Sequence, residues 1–246
     1  MISSVRVIGT GRAGSALAGR LREAGLAVTA GREALADADL VLLAVPDAAI
    51  GEVARAVPVG PWVAHVSGAT SVTALAPHER RFSLHPLQTL TRDRGPEQLD
   101  GAWAAVTFET DEAGRVAHWL AEQVGLRAFD LADADKPLYH AGAAIASNFL
   151  VTLYRVAARL LAETNAPPEA LVPLMRRVIE NGFQLTGPIA RGDWGTVDAH
   201  LVAIRERTPE VEAVYQALAE STRAEAARAG TPRPGPTRAE GGQTES

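Results

Sequence analysis

Short apolar runs alternate with amphipathic stretches through the first half of the chain. The runs predict strands at 5–8, 27–30, 40–45, 62–66, 104–108 and 126–131. Apolar residues at three- and four-residue spacing between them predict helices at 12–24, 48–57 and 111–124. The run at 40–45 is apolar throughout, as in a strand that is buried on both faces. Strands that alternate with helices across short loops predict a doubly wound parallel α/β sheet.

The pattern changes near residue 132, and no strand-like run follows residue 137. Helical spacing predicts helices at 137–161, 168–185, 197–204 and 209–229. We therefore expect an α/β domain at 1–132 and an all-helical C-terminal domain at 133–229. Residues 230–246 combine Pro, Gly, Thr and charged residues without periodicity, which is typical of a disordered tail.

Composition narrows the class of protein. The 246 residues are 47% hydrophobic and 22% charged, as in ordinary soluble globular proteins. A net charge of -5 argues against binding to nucleic acid, which needs a clustered basic surface. The longest apolar stretch, 141–154, is interrupted by Ser147 and Asn148, so we expect no membrane span. The N-terminus also lacks the basic start and apolar stretch of a signal peptide.

Cysteine and histidine usage excludes some kinds of site. The chain has no cysteine, which excludes disulfides and thiolate chemistry. The spacing of its histidines does not indicate a metal site. Together with the composition, these features favour a cytoplasmic protein.

A glycine-rich turn follows the first predicted strand. Its residues are Gly9, Thr10, Gly11, Arg12, Ala13 and Gly14. This is the G-x-G-x-x-G pattern of a dinucleotide-binding Rossmann domain, in its required place between a strand and a helix. The first glycine makes the tight turn, the second lets the pyrophosphate approach the backbone, and the third lets the helix pack on the strand. The helix N-terminus then faces the anion. The alternative is a strand–helix turn that binds no ligand.

The end of the second predicted strand bears on the choice between NAD and NADP. NAD-binding proteins place Asp or Glu about 20 residues after the turn, where it binds the ribose 2′-hydroxyl. Here Gly31 occupies that place and Arg32 follows it, with a guanidinium suited to a 2′-phosphate. Arg12, in the turn itself, offers a second positive charge. A shifted register would make Glu33 the acid and restore NAD, but we favour NADP, in its reduced form NADPH.

Three groups of residues now support a family resemblance. The fingerprint, Val45-Pro46-Asp47 and Ser67-Gly68-Ala69 resemble the N-terminal domain of the 6-phosphogluconate dehydrogenase superfamily. That superfamily also holds ketopantoate reductases, pyrroline-5-carboxylate reductases, prephenate dehydrogenases and F420-dependent NADP oxidoreductases.

A closer resemblance is to Rossmann-like proteins with a C-terminal domain of unknown function, the DUF2520 group. The resembling segments are Ser83 to Thr89, Tyr139 to Asn148 and Thr186 to Asp193. The resemblance runs from about residue 4 to residue 225, which is nearly all of the chain that we expect to be ordered.

The resemblance implies how a cofactor would bind. It would lie across the carboxyl ends of the strands and touch the loops after Val45 and Val66, which contain Pro46, Asp47, Ser67 and Gly68. The helical half would pack against the nicotinamide end and build a homodimer. The active site would then lie in the cleft between the two halves.

Candidate proton donors occur on the first long predicted helix. Hydride transfer to a carbonyl or imine needs such a donor beside the acceptor atom. The candidates are Lys136, His140, Ser147 and Asn148. On a regular helix Lys136 and His140 lie about 40° apart, and Ser147 falls between them. Asn148 lies about 80° from His140.

We expect His140 to be the general acid because a histidine ordinarily titrates near neutral pH. Lys136 and Asn148 resemble a Lys–Asn pair of the superfamily, although their spacing is wider here. Lys136 also precedes a proline, which favours a position at the helix start rather than on its face. The alternatives are a hydrogen-bonded interface histidine, a solvated lysine and an asparagine that bridges helices.

His85 is a further candidate. With the proline that follows, it resembles the His-Pro step beside the nicotinamide in prephenate dehydrogenases. The resemblance implies that it orients the substrate or donates a proton. The alternative is a loop histidine that is bonded to backbone.

These residues lead to one main functional expectation and two alternatives. The main expectation is an NADPH-dependent reductase of a small 2-oxo acid of the ketopantoate type. Reduction of a cyclic imine of the pyrroline-5-carboxylate type is the first alternative. The second is a protein that binds or senses NADP(H) without turnover, which would need no proton donor at the nicotinamide.

Overall fold

A seven-stranded sheet forms the centre of the first part of the chain. The structure is a computed structural model that describes residues 2–35 and 37–229. Its strands are β1 (Ser4–Ile8), β2 (Ala27–Gly31), β3 (Leu40–Leu43), β4 (Trp62–His65), β5 (Arg81–Pro86), β6 (Trp103–Phe108) and β7 (Arg127–Asp130). Their order is β2-β1-β3-β4-β5-β6-β7. The tail expected at 230–246 lies outside the described residues.

The order of the strands creates a crevice at one edge of the sheet. From β1 the chain crosses to β2 on one side and then returns to place β3 on the other side. Ligands of open α/β sheets bind at such a switch point, beyond the carboxyl ends of the strands. The crossover helices on the sheet are α1 (Arg12–Glu23), α2 (Ile50–Ala56) and α3 (Asp111–Gln123). Their positions confirm the doubly wound α/β fold.

The sheet departs from the prediction at β5. This strand was not predicted, and its pairing with β6 is antiparallel, so the sheet is not parallel throughout. Phe82 and Leu84 point into the core, whereas Ser83 and His85 belong to the other face. That alternation is a strand signal of period two. The sequence signal is weak because the strand is short, ends on a proline and has polar residues at alternate positions.

Helices make up the rest of the described chain. They are α4 (Lys136–Ala144), α5 (Leu150–Ala162), α6 (Leu171–Glu180), α7 (Pro188–Arg191), α8 (Trp194–Arg207) and α9 (Glu212–Ala229). A π-helical segment at Ile145–Phe149 separates α4 from α5. The single helix predicted at 137–161 is therefore interrupted by wider turns.

Two compact units divide the chain at Phe149, whereas the sequence predicts a boundary after residue 132. The difference has a physical reason. The Lys136 side chain at the start of α4 is buried and donates hydrogen bonds to Thr70 and Ser83 in the sheet domain. The helix start therefore belongs with the sheet.

Burial differs between the two units, each taken by itself. The first unit buries an apolar cluster on each face of its sheet. The second unit buries little and exposes many large apolar side chains, among them Leu174, Ile179 and Phe183. The most apolar 18-residue window of the helical stretch Asp133–Ala162 has a mean hydropathy of 1.3, so this stretch could cross a membrane by length and composition alone. One such helix is weak evidence for a membrane span, and the expectation of no span stays a prediction.

Candidate active site

The three fingerprint glycines have different surroundings. Gly9 adopts a φ of 116°, and a Cβ there would lie 2.3 Å from the carbonyl oxygen of Ala44. A Cβ on Gly14 would lie 2.0 Å from the carbonyl oxygen of Gly9. A Cβ on Gly11 would have no atom within 4 Å. Gly9 and Gly14 are thus needed by the fold, whereas the space beside Gly11 is open to a ligand.

The N-terminus of α1 faces that open space. Gly11 is the N-cap and provides no side-chain cap. The first backbone N–H groups of a helix lack partners within the helix, and together with the helix dipole they favour an anion. Arg12, the first helical residue, is exposed and adds a positive charge. The turn therefore fits the pyrophosphate of a dinucleotide.

A cavity of about 1030 Å³ lies beyond the carboxyl ends of β1, β3 and β5. The predicted site residues in its lining are Gly11, Arg12, Ala13, Val45, Pro46, His85, His140, Ser147 and Asn148. The cavity therefore brings the dinucleotide turn and most of the predicted proton donors together. The predicted residues outside its lining are Gly9, Thr10, Gly14, Arg32, Asp47, Ser67, Gly68 and Lys136.

Three ring side chains form a cluster on the cavity wall. His85 Nδ1 lies 2.8 Å from the hydroxyl oxygen of Tyr139. The ring of His85 meets those of Tyr139 and His140 edge to face, with centroids 5.5 and 5.8 Å away. His140 is exposed, and His85 is half-buried. The neighbouring Tyr139, which the sequence did not single out, is half-buried as well.

Burial keeps His85 and Tyr139 uncharged at neutral pH. It lowers the pKa of His85 to about 4, and the nearby His140 and Lys136 add to this shift. Burial also raises the pKa of Tyr139 to about 12. The Tyr139 hydroxyl can therefore donate to Nδ1 of a neutral imidazole, which leaves the proton of His85 on Nε2. In this tautomer His85 is a hydrogen-bond donor of fixed orientation.

Gly68 makes room for the His85 ring. A Cβ on Gly68 would lie 2.7 Å from Cε1 of His85, closer than real atoms approach. The structure therefore gives Gly68 a packing role beside the ring. The resemblance had implied that Gly68 contacts a cofactor directly.

Lys136 occupies a separate polar pocket. Its side chain is only 2% exposed, and Nζ donates to the Thr70 carbonyl at 2.7 Å and to Ser83 Oγ at 2.8 Å. Burial lowers its pKa to about 8, although Asp133 and Asp47 oppose the shift. The solvated lysine considered from the sequence is therefore wrong. Lys136 is not part of the lining of the cavity that His140 lines, so the two do not share one surface of the site.

Asp47 and Ser67 form a hydrogen-bonded network between the loops after β3 and β4. Ser67 Oγ donates to Asp47 at 2.7 Å and accepts from the backbone N–H of Thr70 at 2.9 Å. Thr70 in turn provides the carbonyl that binds Lys136. These contacts connect the two loops to the start of α4.

His65, at the end of β4, was not predicted as part of this region. It is fully buried, with Nδ1 accepting from the backbone N–H of Ser67 at 3.2 Å. Nε2 lies 3.3 Å from the carbonyl oxygen of Ser71. Burial, with Lys136 nearby, lowers its pKa to about 4. His65 is thus a neutral group that contacts the loop after β4 at two points.

Ser147 and Asn148 lie in the π-helical segment and line the cavity. Ser147 Oγ donates to the carbonyl oxygen of Ala143 at 2.7 Å, which is a bond within its own helix. The wider turns of the segment change the angular positions that a regular helix predicts for both residues. Both residues still face the same cavity as His140.

Arg32 is exposed at the end of β2. Arg6, the guanidinium nearest to Gly31, is held by Asp37 through two hydrogen bonds of 2.5 and 2.6 Å. Within residues 2–35 and 37–229, Arg32 makes no ion pair. Arg32 is therefore the cation at this strand end whose charge is not matched.

Comparisons with known proteins extend these findings. Residues 103–222 match the domain family described as "Domain of unknown function (DUF2520)", and residues 27–88 match a Rossmann-like domain. The match confirms the resemblance to Rossmann-like proteins with a DUF2520 domain. A search of curated proteins finds no match.

Solved structures of similar fold cover nearly the whole chain. A proposed NADP oxidoreductase, BF3122 from Bacteroides fragilis, has a TM-score of 0.75 at 18% identity, covering 91% of this chain and 98% of its own. Protein TM1727 from Thermotoga maritima has a TM-score of 0.73 at 23% identity, covering 92% and 98%. A reductive aminase from Aspergillus terreus, in complex with NADPH and ethyl levulinate, has a TM-score of 0.63 at 17% identity, covering 94% and 95%. At these identities the likeness shows the fold alone.

Proposed function

Because the chain pairs a Rossmann-like domain with a DUF2520 domain, we propose that it is an NADP(H)-dependent oxidoreductase of a small carbonyl compound. The observation that carries this proposal is the shared cavity of about 1030 Å³. It joins the dinucleotide turn at Gly11 and Arg12 to the cluster of His85, Tyr139 and His140. Solved structures of similar fold include an enzyme in complex with NADPH.

The residues of the turn would hold the cofactor. The N-terminus of α1, with Gly11 and Arg12, would bind the pyrophosphate. Val45 and Pro46 would line the path of the dinucleotide, and Arg32 would bind the 2′-phosphate that distinguishes NADPH from NADH. When bound, the cofactor supplies the hydride.

The ring cluster would donate a proton to the substrate atom next to the one that accepts the hydride, and would hold that atom in place. His140, which is exposed in the cavity, would donate the proton to the carbonyl oxygen of the substrate. His85, neutral and fixed by Tyr139, would donate a hydrogen bond from Nε2 and orient the same oxygen. Ser147 and Asn148 would contact the rest of the substrate from the π-helical segment. Lys136 would not touch the substrate; it would position the neighbouring Ser83 and Thr70 through its hydrogen bonds to them.

The lining of the cavity favours an acidic substrate. It contains Arg12 and Arg92 and no Asp or Glu. This charge suits a 2-oxo acid, and a ketopantoate-type compound is our best single proposal. A cyclic imine of the pyrroline-5-carboxylate type also carries a carboxylate and is the alternative. A protein that binds NADP(H) without turnover is the third reading.

An NADPH-oxidation screen tests the proposal. The purified chain is supplied with NADPH and a panel of 2-oxo acids and cyclic imines, and loss of NADPH absorbance is followed. Turnover of a 2-oxo acid would support the main proposal, and turnover of an imine alone would select the alternative. NADPH binding without turnover across the panel would indicate the non-catalytic reading. Absence of NADPH binding would contradict all three.

A further inference from the structure

A second, smaller cavity of about 350 Å³ adjoins the one described above. Its lining consists of Thr10, Arg12, Ser15, Ala16, Thr91, Arg92, Arg94, Gly95 and Pro96. It shares Arg12 and Arg92 with the larger cavity. One wall is the start of α1, and the other is the loop that follows β5. The lining thus contains arginines and hydroxyl groups and no carboxylate.

A buried glutamine gives this loop a fixed backbone. Gln98 is only 7% exposed. Its Oε1 accepts from the backbone N–H of Thr91 at 2.8 Å. Its Nε2 donates to the carbonyl oxygens of Arg94 and Gly95, each at 2.9 Å. A loop held in this way has already lost backbone entropy before a ligand binds, so binding costs less.

Packing against α1 fixes the position of the same loop. Pro96 contacts Gly19, where a Cβ would lie 3.2 Å from the proline ring. Arg20 on α1 donates to the Pro96 carbonyl oxygen and pairs with Asp100. The loop and the dinucleotide turn therefore keep a constant separation across the smaller cavity.

The three arginines give the lining of this cavity a net positive charge. In the part of the chain that the structure describes, Arg12, Arg92 and Arg94 form no ion pair within 4 Å. Two carboxylates lie nearby but outside the lining. A hydrogen bond from Thr91 lowers the pKa of Asp93, which also lies near Arg94, and Glu97 accepts from the backbone N–H of Gly95 at 3.1 Å. In a protein of net charge -5, such an arrangement favours an anionic ligand.

We propose that Arg92 and Arg94, together with Arg12, bind a phosphate group at this loop. Guanidinium groups bind phosphate through paired, charge-assisted hydrogen bonds, and the Thr10 hydroxyl in the lining is a further donor. The phosphate can belong to the dinucleotide or to the substrate. Only the choice between these two sources rests on the proposed function.

Binding of inorganic phosphate to the full-length protein is the direct test. Isothermal titration at low ionic strength compares the wild type with the double variant Arg92→Gln/Arg94→Gln. Arg115→Gln, an exposed arginine on α3, is the matched control. Each charge-assisted contact is worth roughly a factor of ten in affinity, so the double variant should bind phosphate about a hundredfold more weakly. Thermal melting checks that all three proteins are equally folded.

A second arm of the titration identifies the source of the phosphate. If saturating NADPH abolishes phosphate binding to the wild type, the site takes a phosphate of the cofactor. If the NADPH complex still binds phosphate, the site takes a phosphate of the substrate. Saturable phosphate binding that depends on Arg92 and Arg94 supports the site even if NADPH fails to bind, an outcome that would contradict the proposed function alone. No saturable binding, or equal binding by the double variant, would overturn the proposed site.

Discussion

At the scale of single residues, some glycines of the fingerprint are required by the fold, whereas Gly11 leaves space for a ligand. A Cβ on Gly14 would collide with backbone, whereas a Cβ on Gly11 would meet open space. Gly11 and Gly187 are both helix N-caps in extended backbone, and neither has an atom within 4 Å of an added Cβ. They form a matched pair for one experiment.

We predict that Gly11→Ala leaves the melting temperature nearly unchanged but weakens NADPH binding about tenfold or more, since the methyl group occupies the approach of the pyrophosphate. Gly187→Ala should change neither property. Fluorescence titration and thermal melting measure the two quantities. Unaltered NADPH affinity in Gly11→Ala would show that the dinucleotide does not bind at this turn.

The cavity also sets different roles for its two histidines. We predict that His140→Ala lowers turnover roughly 10²–10⁴-fold while NADPH affinity stays nearly intact, because a general acid contributes about that factor. His85→Ala should mainly raise the Michaelis constant of the substrate, since His85 orients the acceptor. Steady-state kinetics with the substrate found in the screen would separate the two effects. Normal turnover in His140→Ala would remove it as the proton donor.

Most residues of the candidate site could be predicted from the sequence because they belong to short local motifs. Gly11, Arg12, His85 and His140 were predicted, and the structure places them on one cavity. Tyr139 was not singled out because its significance depends on His85, which lies 54 positions away in the chain. Only the fold brings such a pair together.

At the scale of elements, prediction succeeded where the residues of a helix or strand specify it without contacts from distant parts of the chain. The helix predicted at 111–124 is observed at Asp111–Gln123, and Thr110 caps it through a hydrogen bond to the backbone N–H of Ala113. The π-helical segment was not predicted, because its residues have the same apolar spacing as a regular helix. The burial of Lys136 was not predicted either, since its partner Thr70 is 66 positions away.

The carboxyl ends of β4 and β5 each place a neutral histidine in the sheet domain. Burial lowers the pKa of both His65 and His85 to about 4, whereas an unfolded histidine titrates near about 6.5. Between these values the unfolded chain binds protons that the folded chain does not. The contribution of these neutral histidines to the free energy of unfolding is therefore fully present above about pH 6.5, and it is lost as the pH drops toward about 4.

We predict that the free energy of unfolding is lower at about pH 4.5 than at about pH 7, and that His65→Asn reduces this difference. Asparagine keeps an acceptor near the position of Nδ1 but does not titrate. Urea denaturation at the two pH values gives the measurement. Equal stability of the wild type at both values would refute the neutral state of the buried histidines.

At the scale of the whole molecule, the second unit leaves much apolar surface uncovered. On α6, Leu174 is 60% exposed and Ile179 is 56% exposed. The α5 helix belongs to the stretch Asp133–Ala162. No residue in the most apolar window of that stretch is buried. Monomeric soluble proteins rarely expose continuous apolar patches of this kind. Such a surface is typical of a contact with another chain or with lipid.

We propose that a second copy of the chain covers this surface, and we predict a homodimer that needs no detergent. Leu174 and Val178 lie one turn apart on the exposed face of α6, so Leu174→Glu/Val178→Glu places two charges in the interface. The double variant should be a monomer in light scattering at micromolar concentration. Val59→Glu, at an exposed valine of the sheet domain, should leave the dimer intact. A wild-type monomer would contradict the dimer, and recovery of the wild type only with membranes would assign the apolar helix to lipid instead.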